Sequence, residues 1–432
     1  LKESGIRHRL ESTESGRTPW VGREAELGAM LEAWAAARAG RGQALLVTGE
    51  GGIGKSRLVR VIEEEAESTS STLLQAFCSP YFGNTALHPI LELVRSSAGF
   101  AREDSSRERL QKLRGYLGGM RMDRGDTVPL LATLLSIPPD AGYLPPNLSP
   151  QAQRQRTLEA LAQVLLRSSA SKPALVVVED LHWMDPSTLD LLGLVIQQLP
   201  SHPVLLLLTA RPSFESPWAG VDHVRTIPLS NLPTGQTEDL IRGVTGGRDL
   251  PPAVVSLLVE KTDGIPLYIE EMTRMVLEAG MLKAVGDRYE LADALPKLTI
   301  PATLHDSLMA RLDRMEPSAK KVAQVGACIG REFSLGLSSA VLPGQEVALR
   351  GGLDRLVEAQ LVFAPPEPGS AQYSFKHALI QDAAYESLLR RTRQEYHERI
   401  AQALERELPD LIERQPERLA QHYTKAARPE KA

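Results

Sequence analysis

The first half of the sequence predicts an α/β fold in which helices cover both faces of a parallel β-sheet. Helical patterns, such as those at 56–66 and 151–166, alternate with short apolar segments. This alternation favours a doubly wound sheet, because two parallel strands need a long crossover between them. Five segments have the length and composition of buried strands: 44–47, 73–77, 175–178, 204–208 and 224–229.

The composition is that of an ordinary globular protein. The 432 residues leave room for roughly three domains. Apolar residues make up 42% and charged residues 24% of the chain, which excludes a disordered chain, a coiled-coil rod and a collagen. The net charge of −5 provides no general attraction for nucleic acid or an anionic membrane. Apolar runs such as 204–208 are far shorter than the roughly 18 residues that cross a bilayer.

Cysteine content and the first residues indicate the cellular setting. Cys78 and Cys328 lie far apart in apolar surroundings, which excludes a disulfide framework and a cysteine-based metal site. They predict two buried thiols in a reducing compartment. The sequence opens on Leu1 in a polar stretch without a signal peptide. We therefore expect a cytoplasmic protein and a chain that is part of a longer polypeptide.

Beyond the sheet the sequence pattern changes twice. Residues 237–244, 251–261 and 267–279 have the spacing of amphipathic helices in a small bundle. The segments 361–364 and 373–375 then have the composition of two strands joined by a Pro/Gly-rich turn. One hairpin among short helices predicts a winged-helix domain.

These changes set the expected domain boundaries. The stretch 138–150 is too rich in proline for a helix or a central strand, so it predicts an insertion loop in the sheet domain. The expected regions are a linker at 1–18, the sheet domain at 19–232, a helical lid at 233–300, the winged helix at 301–392 and further amphipathic helices at 393–432.

The strongest motif is GEGGIGKS at 49–56, which fits G-x-x-x-x-G-K-[ST] directly after an apolar strand and before a helix. Glycines let backbone N–H groups surround phosphate oxygens, and the helix N-terminus adds the positive end of its dipole. Lys55 is expected to reach the β- and γ-phosphates of ATP, and Ser56 to ligate Mg²⁺. The sequence thus predicts a P-loop nucleotide site. Its expected contacts are Gly49, Gly51, Gly52, Ile53, Gly54, Lys55, Ser56 and Arg57.

Two adjacent carboxylates, Glu179 and Asp180, end a later apolar strand. One is expected to join the Mg²⁺ shell and the other to polarise the attacking water. Their order is open at this point. If Glu179 takes the metal, Asp180 is a shorter base than the usual Glu, and hydrolysis is slow. The motif pair therefore predicts a slow, Mg²⁺-dependent ATPase that binds ATP and ADP.

Polar residues also end the next strand. Carboxyl ends of strands in a doubly wound sheet face the ligand crevice, so Thr209 and Arg211 are expected to sense the γ-phosphate through charge-assisted hydrogen bonds. For Arg211, an ion pair with a surface acid is an equal alternative. Asp185 precedes Pro186 and Ser187, an order that predicts a helix N-cap, with water positioning as the alternative.

Four motifs in this order resemble a known family: WVGRE at 20–24, the loop at 49–56, EDLHWMD at 179–185 and TARP at 209–212. Over nearly its whole length the chain is similar to the signal-transduction ATPases with numerous domains (STAND), a branch of the AAA+ P-loop proteins. More narrowly, it resembles the ATPase module that follows class III nucleotide cyclase or kinase domains in bacterial regulators. This narrower likeness rests on CSPY at 78–81 with Asn84, Ala86 and Leu87, and on the linker ESG at 3–5 that leads to GRE at 22–24.

The resemblance implies further nucleotide contacts. His377 would meet the β-phosphate of ADP, although Ala378 stands where many relatives carry Asp. The residues that would pack against the adenine are Val21, Gly22, Arg23 and Pro266. The last region resembles the start of a tetratricopeptide-like array, while its spacing alone predicts an apolar core stripe; the residues concerned are Tyr396, His397, Ala401, Leu404, Leu419, Ala420, His422 and Tyr423.

Together these features predict a nucleotide-dependent switch. ADP would hold the winged helix closed, and exchange for ATP would release it and favour self-association, which would control an attached or partner cyclase or kinase. A DNA-binding regulator is an alternative, supported by the basic run at 390–393 and opposed by the balanced charge beyond residue 301. A motor or small-molecule kinase is a second alternative, for which the sequence shows no acceptor constellation.

Overall fold

The computed structural model describes residues 20–79, 82–83, 85–101, 104–123, 125–278, 282–291, 304–363, 372–407, 416–428 and 430–431. The predicted linker at 1–18 and the turn of the predicted hairpin therefore lie outside the described residues. The chain forms two compact units. The first contains Arg23–Ser230, and the second contains Asn231 onward together with residues 20–22.

The first unit is built on a five-stranded parallel sheet. The five predicted strands are confirmed, with ends that differ by one or two residues. The strands β1, β3 and β4 are buried apolar runs, while β5 lies at the edge of the sheet and is largely exposed. Strand β4 lies between β1 and β3, since the order across the sheet is β2-β3-β4-β1-β5. The strands are β1 Gln43–Thr48, β2 Thr72–Phe77, β3 Ala174–Glu179, β4 Val204–Ala210 and β5 Val224–Pro228.

Helices accompany the sheet of the first unit. Every residue of β3 and β4 is buried, as expected for strands covered on both faces. Three helices between β2 and β3, α3 to α5, pack into the main core and were not predicted from the sequence. The helices are α1 Glu24–Arg38, α2 Lys55–Ser68, α3 His88–Ser97, α4 Ser106–Gly119, α5 Thr127–Leu134, α6 Pro150–Arg167 and α7 Pro186–Gln198.

The proline-rich stretch 138–150 is a loop, as predicted. Its one regular element before α6 is the 3₁₀ turn Pro139–Ala141. The loop is held by Tyr143, whose hydroxyl donates a 2.6 Å hydrogen bond to the carbonyl of Ile137. Cys78 in this unit and Cys328 in the second are buried free thiols, as expected.

The second unit begins with the predicted lid helices and adds a hairpin that was not predicted. The three helices share an apolar core, against which Val21 packs partly buried. The elements are α8 Thr234–Val244, α9 Pro252–Thr262, α10 Pro266–Glu278, β6 Leu282–Val285 and β7 Arg288–Leu291.

The rest of the second unit surrounds a small antiparallel sheet. The predicted hairpin is present as β9 and β10, and a third strand, β8, pairs with the other edge of β10. None of the helices formed by the described residues is long and apolar enough to span a bilayer. The elements are α11 Leu304–Arg314, α12 Pro317–Ile329, β8 Glu332–Ser334, α13 Leu335–Val341, α14 Glu346–Glu358, β9 Val362–Phe363, β10 Gln372–Phe375, α15 Ala378–Glu386, α16 Arg390–Glu407 and α17 Pro416–Lys425.

The last two helices bury an apolar stripe that contains two histidines. Tyr396 and Tyr423 are almost fully buried. His397 Nδ1 and His422 Nδ1 lie 2.9 Å apart, and the Tyr385 hydroxyl lies 3.0 Å from His397 Nε2. Burial and neighbouring cations lower the pKa of His397 to about 3, so both rings belong to the core of this region as neutral groups.

Candidate nucleotide-binding site

The loop at 49–54 joins β1 to α2 as the sequence predicts. Ile53 is buried beneath it, while Gly51 and Gly52 form its turn. Gly54 precedes the helix with φ of +105°, a backbone conformation that residues with a Cβ rarely adopt. Because the first N–H groups of a helix have no partner within it, the start of α2 offers donors to an anion beside the loop.

Lys55 is held by its own loop. Its Nζ donates hydrogen bonds of 2.6 Å to the Gly49 carbonyl and 2.9 Å to the Glu50 carbonyl. Burial lowers the pKa of this ammonium, the charge of Arg211 lowers it further, and the charge of Asp180 opposes both. A phosphate offers the ammonium a charged acceptor in place of neutral carbonyls, and such hydrogen bonds are about twice as strong.

In the sheet, β4 lies between β1 and β3, and all three strands are parallel. Their carboxyl ends therefore lie side by side next to this loop. Ser56 Oγ, on the first turn of α2, donates a 2.6 Å hydrogen bond to Glu179 Oε2 at the end of β3. The Asp180 N–H donates a 3.0 Å hydrogen bond to Thr209 Oγ1 at the end of β4. Asp180 itself has φ of +64°, so its backbone turns away from the strand direction that Glu179 follows.

Ser56 and Glu179 fit a magnesium ion. A hydroxyl and a carboxylate are hard oxygen ligands, and Mg²⁺ in nucleotide sites takes few protein ligands besides water and phosphate oxygens. The described part of the chain has no cluster of three or more His, Cys, Asp or Glu that could hold a metal. When bound, the ion would neutralise charge on the β- and γ-phosphates.

Arg211 and His182 complete the surroundings of Lys55. The Arg211 guanidinium lies over the Trp183 ring, 5.4 Å from its centre, and no ion pair with an acid is present for it among the described residues. Both ring nitrogens of His182 are buried without a hydrogen-bond partner in the described chain. Burial, with Arg211 and Lys55, lowers the pKa of His182 to about 4. No sequence signal assigned a role to His182 beyond its place in the motif at 179–185.

Asp185 is the helix cap that the sequence predicts. Its Oδ1 accepts 3.0 Å hydrogen bonds from the N–H groups of Ser187 and Thr188 at the start of α7. The same oxygen accepts a 3.1 Å bond from the Leu87 N–H, which precedes α3. Asp185 is buried and joins two helices to the turn that follows Glu179 and Asp180. Its contacts are those of a structural residue.

The residues expected at the adenine fall in both units, and each is described within its own. In the first unit, Arg23 has φ of +70° and pairs with Glu26 at 3.0 Å. In the second, Pro266 is the first residue of α10. Before it, Gly264 has φ of +70°, and a Cβ there would lie 2.2 Å from the Leu232 carbonyl oxygen, so both the backbone angle and the space require glycine.

His377, the expected phosphate contact of the second unit, directly precedes α15. Burial first, and then the charges of Lys376, Arg331 and Arg274, lower its pKa to about 3. The imidazole is therefore neutral in this structure and surrounded by cations. Lys376 lies in the segment FKHAL at 375–379, which carries the resemblance at His377, whereas no sequence signal points to Arg331.

The fold and the site have the features of a P-loop nucleotide-binding domain: a parallel sheet with a glycine-rich loop after β1 and an acidic pair after β3. In agreement, residues 19–207 match the AAA ATPase domain family. The likeness to this family covers the sheet-containing part of the chain.

Two kinds of relative are similar over most of the chain. An uncharacterised protein, R02095, of Rhizobium meliloti (strain 1021) is 30% identical over 397 residues, 89% of this chain. The match spans 37% of the length of that relative. Among solved structures, a STAND protein with a tetratricopeptide repeat sensor from Pyrococcus horikoshii has a TM-score of 0.49 at 15% identity, covering 99% of this chain and 50% of that one. The Orc1 protein of Aeropyrum pernix, solved with DNA, has a TM-score of 0.39 at 15% identity, covering 89% of this chain and 98% of that one.

Proposed function

We propose that this chain is a nucleotide-dependent switch of the STAND type, which binds ADP in its resting state and ATP in its active state. The contact between Ser56 and Glu179 beside the Lys55 ammonium carries the proposal, because it brings the elements for phosphate and Mg²⁺ together. The four motifs that resemble STAND proteins support the finer assignment.

Hydrolysis in this proposal is slow and resets the switch. Glu179 accepts the hydrogen bond from Ser56, which supports it as the metal-side carboxylate. Asp180 then becomes the base, on a side chain one methylene shorter than glutamate. Its backbone is fixed by Thr209, so the missing reach is not recovered by a shift of the main chain. A general base that does not come within hydrogen-bonding distance of the attacking water takes up the proton of that water slowly.

The output of the switch is proposed to lie in another domain or protein. ATP would favour self-association of the chain and so regulate a cyclase or kinase, covalently attached or bound as a partner. A ligand shifts such an equilibrium only as far as it binds the two states differently. The residues proposed to distinguish ADP from ATP are Arg211, at the γ-phosphate, and His377, at the β-phosphate of ADP.

Replacing His377 by alanine tests the switch. We expect His377→Ala to release ADP about tenfold faster, because one hydrogen bond to a charged phosphate is worth about 1.5 kcal/mol or more. Stopped-flow displacement of a fluorescent ADP measures the rate, and light scattering with ATP measures the accompanying rise in oligomers. The control is His305→Ala, an exposed histidine on α11. An ADP release rate equal to that of the control would contradict the role of His377.

A further inference from the structure

Two buried histidines join the last two helices of the second unit. His397 on α16 and His422 on α17 are almost fully buried, and their Nδ1 atoms lie 2.9 Å apart. The other ring nitrogen of His397, Nε2, lies 3.0 Å from the hydroxyl of Tyr385 on α15. A chain of hydrogen bonds between side chains therefore runs from α15 through α16 to α17.

This chain of hydrogen bonds requires neutral rings. A neutral imidazole has one donor nitrogen and one acceptor nitrogen, so the two Nδ1 atoms form a bond when one of them carries a proton and the other does not. A ring that takes up a second proton has donors on both nitrogens and a full positive charge. When both rings are charged, two N–H groups face each other and the bond is lost. Even a single charge is costly here, because the rings are shielded from water.

The charged groups that act on the two rings are cations. They are Arg393 on α16, and Arg418 and Lys425 on α17. Burial lowers the pKa of Lys425 to about 8, so its ammonium is still charged at neutral and acidic pH. The other helices packed on α16 add no acid: α12 brings the buried thiol of Cys328, whose pKa burial raises to about 12, and α13 contains no titratable residue.

Carboxylates in this region have other partners. The pairs are Glu395 with Arg391 at 3.2 Å, Glu398 with Arg428 at 3.2 Å, Glu386 with His305 at 3.3 Å, and Glu405 with the Tyr423 hydroxyl at 2.7 Å. A proton on either buried histidine is therefore opposed both by burial and by like charge, and these carboxylates do not offset it.

We propose that His397 and His422 form an acid-sensitive latch that holds α17 against α16. The latch is closed when both imidazoles are neutral. Uptake of protons by the pair opens it and releases α17 from α16, which exposes the apolar stripe that contains Tyr396 and Tyr423. The arrangement of the last two helices thereby depends on pH, and this dependence requires no nucleotide.

The sign of the pH dependence follows from the docked and undocked states. Burial and the neighbouring cations lower the pKa of docked His397 to about 3 and that of docked His422 well below 6.5, whereas an undocked ring returns to about 6.5. The latch is therefore at full strength above pH 6.5 and weakens as the pH falls below this value, because the undocked state binds the additional protons. Two such rings increase the equilibrium constant for opening roughly 100-fold between pH 7.5 and pH 5.5.

Amide hydrogen exchange of the full chain tests the latch. Exchange is measured at pH 7.5 and pH 5.5, and each rate is corrected for the intrinsic rate at that pH. We expect the protection of α17 to fall roughly 100-fold, and α17 to exchange faster than α12 at pH 5.5, as local opening requires. The latch is overturned if α12 and α17 are equally protected at pH 5.5, or if the corrected protection of α17 is the same at both pH values.

A variant that keeps one titrating ring sharpens the test. His422→Gln retains a hydrogen-bonding side chain but cannot take up a proton, so the pH effect on α17 should fall from roughly 100-fold to about tenfold. His305→Gln, at an exposed histidine of α11, is the matched control and should keep the full effect. Folded His422→Gln with the full effect would contradict the latch. If His422→Gln does not dock α17, the exchange of the unmodified chain decides the question alone.

Discussion

Lys55→Ala is expected to abolish measurable nucleotide binding. The variant removes the ammonium that the loop holds beside its phosphate-binding backbone, and with it the two charged hydrogen bonds proposed to the β- and γ-phosphates. At about 1.5–3 kcal/mol for each such bond, the loss of two weakens binding by roughly 100-fold or more. Calorimetric titration with ADP and ATP measures the change.

The fold should survive this change. Lys55 is buried at a cost that lowers its pKa, and its Nζ bonds to carbonyls of its own loop and not to a carboxylate, so its removal should cost the fold little. Lys172→Ala, at an exposed lysine of the same unit, is the control and should bind nucleotide as the unmodified chain does. An unchanged affinity of folded Lys55→Ala would mean that the loop at 49–56 is not the phosphate site.

Asp180→Asn is expected to separate hydrolysis from binding. Asparagine keeps the size of the side chain and accepts the left-handed backbone at this position, where φ is +64°. It cannot take a proton from water, so the hydrolysis rate should fall by about 100-fold or more, while ATP affinity changes little. Phosphate release under single-turnover conditions, beside a binding titration, measures both quantities.

Glu179→Gln is the matched comparison for this experiment. Glu179 accepts the hydrogen bond from Ser56, so its loss should weaken the Mg²⁺-dependent part of binding as well as hydrolysis. If Asp180→Asn instead lost binding and hydrolysis equally, the two carboxylates would have been assigned in the wrong order.

The sheet and the loop could be predicted from the sequence because both depend on local patterns. The strands β1, β3 and β4 are continuous apolar runs, and the loop at 49–54 is defined by fixed spacing. Strand β8 was missed, since Glu332–Ser334 has one apolar residue and becomes a strand by pairing with β10. The exposed hairpin of β6 and β7 was missed for a similar reason, because none of its strand residues is buried.

The roles within the site depend on contacts between distant residues, and the sequence left them open. In the sequence, the adjacent carboxylates at 179 and 180 are equal candidates for the metal-side residue. In the structure the chain turns at Asp180, and Glu179 accepts the hydrogen bond from Ser56. Thr209 was predicted as a phosphate sensor, and that role stays a prediction. Its hydroxyl accepts a hydrogen bond from Asp180, a contact that exists because β4 lies beside β3.

Titration of the unmodified chain with ATP, with Mg²⁺ and then with a chelator, tests the central claim most directly. The arrangement of Lys55, Ser56 and Glu179 predicts saturable binding at one site that is tighter when Mg²⁺ is present. A folded chain that gives no saturable binding of ATP or ADP under either condition would contradict it.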